Sequence, residues 1–173
     1  MMDFNALSLP AGLHVRPSTP SDQPFLELLY KSTRTDLDLI TADNDFIEEL
    51  KGSQFAAQTA SYEEQFPNAM YFVIQHHDQK VGRVILDFGS TEILVVDISF
   101  VPEARNKGLG SGVMRSFMHV SDQIRTPLKL SVLQENIAAK AFYSQLGFIY
   151  DEHRYPRDYL VYYPSTQATG VTA

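Results

Sequence analysis

The 173-residue sequence contains no cysteine. That absence excludes a disulfide scaffold, a zinc–thiolate centre and a cysteine nucleophile, and it suits a cytoplasmic enzyme. No apolar run reaches the length needed to span a bilayer, and Met1 to Gly12 lacks the basic start and apolar stretch of a secretory signal. The expectation is a soluble, cytoplasmic protein with no membrane partner. Positive charge is also scarce: 14 Lys plus Arg stand against 21 Asp plus Glu, a net charge of −7. With no basic stripe and no interleaved aromatics, nucleic acid is not an expected partner, whereas an acidic surface would attract a cationic small molecule. His76-His77 lies at a predicted hairpin tip with no third ligand nearby in sequence, so no metal is expected.

Against that acidic background, Arg105 and Lys107 fall together in Arg105-Asn106-Lys107-Gly108-Leu109-Gly110-Ser111-Gly112. The stretch follows a β-branched segment, Ile93 to Val101, and precedes a helical run, Val113 to Ser121, with Met114, Phe117 and Met118 on its apolar side. Strand, glycine-rich loop and helix in that order make a phosphate site, because the first helical turn offers unpaired N–H groups and a positive dipole end. The loop is not a P-loop, since no Lys-Ser/Thr follows the glycines. Its G-x-G-x-G spacing also fails the dinucleotide fingerprint.

What remains is Arg-x-x-Gly-x-Gly, with Pro102 three residues before the Arg. This resembles the pyrophosphate loop of the GNAT N-acetyltransferases, which holds acetyl-CoA. A second stretch resembles the same family: Asn136, Ala139, Tyr143, Gly147 and Phe148 fill N-x-x-A-x-x-x-Y-x-x-x-G-F. The likeness spans about residues 13 to 163 and implies an α/β (α+β) fold, a mixed, mostly antiparallel sheet splayed in the middle and flanked by helices. At this length one domain can bury roughly 70% of its unfolded surface. The expected organisation is a flexible lead-in over 1–12, a single domain over 13–163 and a disordered tail over 164–173.

In chain order, Leu13 to Arg16 alternates as a strand, and Thr19-Pro20-Ser21-Asp22 starts a helix running to about Thr33, its core face carrying Phe25, Leu28 and Leu29. Helical spacing returns from Phe46 to Gln65, at Phe46, Leu50, Ala57 and Tyr62. Residues 69–75 and 80–88 form a hairpin in which Gly82 marks a bulge or a close approach. The unbroken apolar run Ile93 to Val96 predicts a central strand covered on both faces, with Asp97 as an exception that must be paired or functional. Strand 127–133, helix 136–146 and a hairpin around Pro156-Arg157-Asp158 complete the domain. By the same family resemblance, the segment between the first and second strands is expected to help wall an acceptor pocket. Arg34, Asp36, Gln54 and Gln58 either belong to that wall or form ordinary solvated helix surface.

The resemblance implies direct attack of a primary amine, on a small molecule or peptide, on the acetyl-CoA thioester within a ternary complex. An alkyl amine of pKa near 10.4 is protonated at pH 7, and freeing it costs roughly 4.6 kcal/mol, from about 3.4 units at 1.36 each. Glu92 and Asp97 are the candidate bases, and each equally suits a structural pairing. Tyr143 would protonate the departing thiolate, or else serve as a core aromatic beside Phe142. Ser99, Phe100 and Val101 would pair with the pantetheine arm, Arg105 through Gly112 would hold the pyrophosphate, and Asn136, Ala139, Phe142 and Tyr143 would line the second side. An N–H near Phe100 or Val101 would meet the oxyanion, and Asn136 equally suits an N-cap. Asn106 stands where a glycine most often follows the Arg; asparagine tolerates positive φ, so cofactor affinity is the property at stake. A different class of reading is a CoA-binding sensor or interaction module without turnover. A hydrolase is remote, because Ser111 lacks a G-x-S-x-G frame. A homodimer is suggested only by family habit.

Overall fold

A computed structural model describes residues 7–165. Strand β1 (Leu13–Pro17) is followed by a short 3-10 turn and helix α1 (Gln23–Thr33), a second 3-10 turn and helix α2 (Asn44–Gln65). Strands β2 (Met70–His76), β3 (Gln79–Phe88) and β4 (Ile93–Phe100) then run as a meander. Helix α3 (Leu109–Ile124), strand β5 (Leu128–Leu133), helix α4 (Ile137–Leu146) and the hairpin of β6 (Ile149–Arg154) and β7 (Arg157–Tyr162) complete the chain. The seven strands form one sheet in the order β1-β2-β3-β4-β5-β7-β6. Only the β4–β5 pair is parallel, as a helical crossover between neighbours requires.

The hairpin joining β2 and β3 turns through His77 and Asp78 at φ 47° and 64°, the left-handed pair that suits a two-residue turn. Val81 is an extra residue on β3, because Ile74 pairs with Gly82 and Gln75 with Lys80. A second bulge lies in β4. Ile85 pairs with Asp97 and Leu86 with Val95, so Val96 has no partner on β3. Side chains alternate between faces along a strand, and one inserted residue reverses that order beyond it. Ile93 and Val95 therefore face the main core beneath α3 and α4, where Val113, Met114 and Phe117 are buried. Asp97 faces the other way, toward α1 and α2, whose Leu26, Tyr30 and Phe55 pack on Val73.

Three expectations are corrected. Leu28 is 65% exposed, and the buried face of α1 is Leu26, Leu29 and Tyr30. On α2, Phe46 is exposed while Ile47, Lys51 and Phe55 are buried; Lys51 reaches Asp38 at 2.7 Å, a contact that period counting does not foresee. In β4, Ile93 and Val95 are buried but Leu94 and Val96 stay partly open, so the strand is covered fully on one face only. Of the lead-in and tail, residues 1–6 and 166–173 lie outside the described residues. Leu7 and Leu9 pack against the main core, and the Ser165 N–H donates to Asp122 Oδ1 at 2.7 Å. Among the described residues no helix is long and apolar enough to cross a membrane.

A buried carboxylate ties the first elements together. Asp22 is 0% exposed and accepts both terminal guanidinium nitrogens of Arg16 at 2.8 Å, Lys80 Nζ at 2.7 Å and the Thr19 N–H at 2.8 Å. The Arg16 bonds, with Lys80 and Thr19 after them, hold its carboxyl far below the usual carboxylate range. A lowered folded pKa contributes stability that is complete above the unfolded value and lost as pH falls through the folded one. Asp22→Asn should lower the unfolding free energy by about 2–4 kcal/mol near pH 7, since it leaves two cations facing a neutral amide. In denaturant titrations at several pH values, the gap from the parent should begin to narrow below about pH 4.

Candidate active site

β4 and β5 pair only from Ile93 to Val95 against Leu128 to Leu130. Beyond that point β4 runs on to Phe100 and β5 to Leu133 without pairing. The opening holds a cavity of about 430 Å³. One side is β4 from Val95 to Ser99, the other is β5 with Asn136, Ala139 and Tyr143 of α4, and Tyr30, Thr33 and Gln58 close the α1–α2 end. Asp97, Ser99, Asn136, Ala139 and Tyr143 are thus brought together around one cavity. Glu92 is not among the lining residues; its carboxylate lies 4.0 Å from Lys129, which also meets Asp151 and Glu152. Phe142 lies edge-on to Tyr143, with ring centroids 5.0 Å apart, and packs against the main core.

The Val101 N–H donates to Val81 O at 2.9 Å. Antiparallel pairing alternates, so the backbone groups of Ser99 and Asp97 also point to β3, while those of Ile98 and Phe100 point into the gap. This corrects the expectation for Ser99 and Val101: Ile98 and Phe100 present the open backbone. Arg105 Nε donates to Phe100 O at 2.9 Å, fixing the loop to the end of that edge.

The loop itself bends through Asn106 at φ 57° and Gly108 at φ 77°, so asparagine takes up the left-handed conformation expected of it. Helix α3 begins at Leu109, inside the glycine stretch and four residues earlier than the sequence predicts. Its first internal bond runs from Gly112 N–H to Gly108 O at 3.0 Å. The N–H groups of Leu109, Gly110 and Ser111 therefore have no helical acceptor, and exposed Arg105 and Lys107 stand beside them. Arg115 adds a cation that sequence reading missed, with Nε 3.3 Å from Ser111 Oγ; its signal is the four-residue step along a helix. Gly112 has a different task from the one expected, because a Cβ there would lie 2.8 Å from Pro10 Cγ. It lets the first segment pack against α3.

Polar contacts organise the cavity. Asp97 Oδ2 accepts Arg83 Nε at 3.0 Å and Nη2 at 2.8 Å. Arg83 is buried and also donates to Gln58 Oε1 at 3.1 Å. Behind this layer Arg34 donates to the Tyr30 hydroxyl at 3.0 Å, to Gln54 and to both oxygens of Asp36. These four polar residues are therefore more than solvated surface: Arg34, with Asp36 and Gln54, braces the wall that carries Tyr30, and Gln58 holds Arg83. Asn136 Oδ1 accepts the Ala139 N–H at 3.0 Å, so the N-cap role holds while the residue also lines the cavity. Tyr143 is 9% exposed; burial, followed by the Asp97 charge, pushes its phenol up to about 12.

Residues 67–150 match the sequence profile of the acetyltransferase (GNAT) domain. These residues carry a GNAT acetyltransferase domain. Among solved structures, an acetyltransferase from Thermus thermophilus is 22% identical, with 90% of this chain and 99% of that one covered at a TM-score of 0.65. PaiA N-acetyltransferase from Thermoplasma acidophilum, solved with coenzyme A, is 12% identical over 87% and 98% of the two chains, also at 0.65. Spermidine N-acetyltransferase SpeG from Vibrio cholerae is 17% identical over 89% and 95%, at 0.61. At these identities the likeness is one of fold. A search of curated proteins finds no significant match. That domain makes the chain an acyltransferase, and the splayed sheet is the one the family resemblance implies. Among the described residues no group of three or more His, Cys, Asp or Glu side chains could hold a metal ion.

Two glycines separate space from conformation. A Cβ on Gly82 would sit 2.5 Å from Ser99 O, on the strand that borders the cavity, so Gly82→Ala should cost about 1–3 kcal/mol in denaturant unfolding by forcing β3 and β4 apart. A Cβ on Gly108 meets nothing within 4 Å, and Gly108→Ala should show only the left-handed penalty of about 1–2 kcal/mol.

Proposed function

We propose that this protein transfers the acetyl group of acetyl-CoA directly to a primary amine, with both substrates bound at once. The observation that carries this reading is the alignment of three features along one path. Free helix N–H groups flanked by Arg105 and Lys107 lead to the open Ile98–Phe100 edge, and that edge leads to a cavity containing Tyr143 and Asp97. Phosphates suit the first feature, an amide-bearing arm suits the second, and the reacting groups suit the third.

The residues then take definite roles. Leu109, Gly110 and Ser111 N–H groups bind pyrophosphate oxygens, with Arg105 and Lys107 countering their charge. Asn106 and Gly108 bend the loop, Gly112 seats α3, and Asn136, Ala139 and Phe142 shape the α4 side of the arm's path. The open Phe100 N–H is placed for the carbonyl oxygen as charge develops there. Asp97 Oδ2 is engaged by Arg83, which leaves Oδ1 to receive the ammonium and to pass its proton to water. On placement, this gives Asp97 rather than Glu92 the amine end. The amine nitrogen bonds to the acetyl carbon as the carbon–sulfur bond breaks; of the two protons the nitrogen gives up, one leaves through Asp97 to water and the other ends on the departing thiolate, giving amide and free thiol.

Tyr143 works on the sulfur side. A phenol near 12 remains O–H throughout the physiological range, whereas an ordinary thiol titrates near 8.5. Its first contribution is accordingly a hydrogen bond to the developing thiolate, one that strengthens as charge builds.

Calorimetric titration with acetyl-CoA, CoA and ATP should show saturable binding of the two CoA species and none of ATP. Tyr143→Phe should reduce kcat about 100- to 1000-fold while changing acetyl-CoA affinity by no more than about threefold, less than 1 kcal/mol. Binding without acetyl transfer to any amine would instead identify a CoA-binding module.

A further inference from the structure

The cavity has a sign opposite to that of the whole chain. The chain carries −7, yet the charged side chains lining the cavity are Arg83, Asp97 and Arg157, two cations and one anion. Arg83 is paired through Asp97 Oδ2 at 2.8 Å, which leaves Oδ1 open. Arg157 has no such partner. Its Nε donates to Ser131 Oγ at 2.8 Å and its Nη2 to the Ser131 carbonyl at 3.2 Å, and no carboxylate lies within ion-pair distance of it among the described residues. The adjacent Asp158 is committed elsewhere, to Lys140 at 3.0 Å and His153 at 2.6 Å.

Arg157 is therefore a partly buried guanidinium, oriented by two bonds to neutral oxygens and left with donors to spare. Such a group is built to receive an anion, since a fork held in advance loses little freedom on binding. Acetyl-CoA does not provide that anion here. Its charges are phosphates, which the α3 loop takes, and the arm and acetyl group entering the cavity are neutral. The counter-charge must come with the acceptor.

We propose that the acceptor bears a carboxylate beside its primary amine, as an amino acid does, with Arg157 receiving the carboxylate and Asp97 the ammonium. This rests on the acetyl-transfer reading. It also reverses the expectation drawn from net charge: a polyamine would meet two arginines, find one carboxylate already paired, and leave Arg157 without a counter-ion. Surface charge concentrates ligands in general, whereas the buried lining selects among them.

The test is thiol release from acetyl-CoA by the full-length protein with matched acceptors: α-amino acids, their α-carboxamides, the corresponding decarboxylated amines, and spermidine. At least one free acid should exceed its amide in kcat/KM about 10- to 100-fold, the range for one charge-assisted pair. Arg157→Gln should bring that acid-to-amide ratio close to one, mostly through KM for the acid, with acetyl-CoA affinity unchanged. Arg157→Lys, which keeps the charge, should retain part of the preference, and it remains informative if the glutamine variant fails to fold. Amides, amines or spermidine used as well as the acids would overturn the proposal, as would an equal loss for acid and amide in Arg157→Gln. Turnover of none of the panel while acetyl-CoA binds overturns it as well. Failure to bind acetyl-CoA would instead remove the transfer reading beneath it.

Discussion

The unpaired residue at Val96 is the constraint on which the site depends. Without it, Asp97 would follow Val95 onto the main-core face, where a carboxylate would stand among Val113, Met114 and Leu130 at a prohibitive desolvation cost. With it, the facing order reverses at the point where β4 parts from β5. One inserted residue thus does three things. It keeps the apolar set of β4 in the core, it delivers Asp97 to Arg83, and it opens the gap whose walls are the cavity. Bulges are frequent beside active sites because re-aiming a side chain and ending a pairing are the same event.

Two electrostatic regions flank that gap, and they differ in construction. At the α3 end, positive potential comes from backbone N–H groups and exposed arginine and lysine, an arrangement suited to highly charged, hydrated phosphates. Deeper in, Arg83 and Arg157 are held by specific side-chain and backbone oxygens, which favours small, directional contacts. The first region is built on charge, the second on geometry. Tyr143 stands between them, kept protonated by burial and so unable to add a charge of its own to either.

Much of this was legible in the sequence where the determinants are local. Most helices and strands are where their periodicities put them, and Arg105 through Gly112 with Asn136 through Phe148 mark the loop and α4 through their resemblance to the family's two motifs. What was not legible depends on partners far apart in sequence. Val96 is one more β-branched residue in an apolar run and carries no mark of being unpaired. Arg83 reads as an ordinary strand residue until Asp97, 14 positions on, and Gln58, 25 positions back, are seen beside it. Arg157 reads as part of a turn, because its anchor Ser131 is 26 residues earlier. Leu28 and Phe46 fit the helical period yet face outward, since α1 and α2 bury the faces that carry Leu26, Tyr30 and Phe55.

Asp22 gives the helical wall of the cavity a fixed end. Its bonds to Arg16 of β1 and Lys80 of β3 clamp the start of α1 to the sheet, whereas the far end of that helix is held by Arg34 contacts to Tyr30, Gln54 and Asp36. A helix pinned at one end and laced at the other behaves as a lever with its pivot at the sheet. Small changes in the lacing between Arg34 and Gln54 would then be passed to Tyr30 and Thr33, so the pocket can be reshaped across evolutionary time without disturbing the strands that carry Arg83 and Asp97.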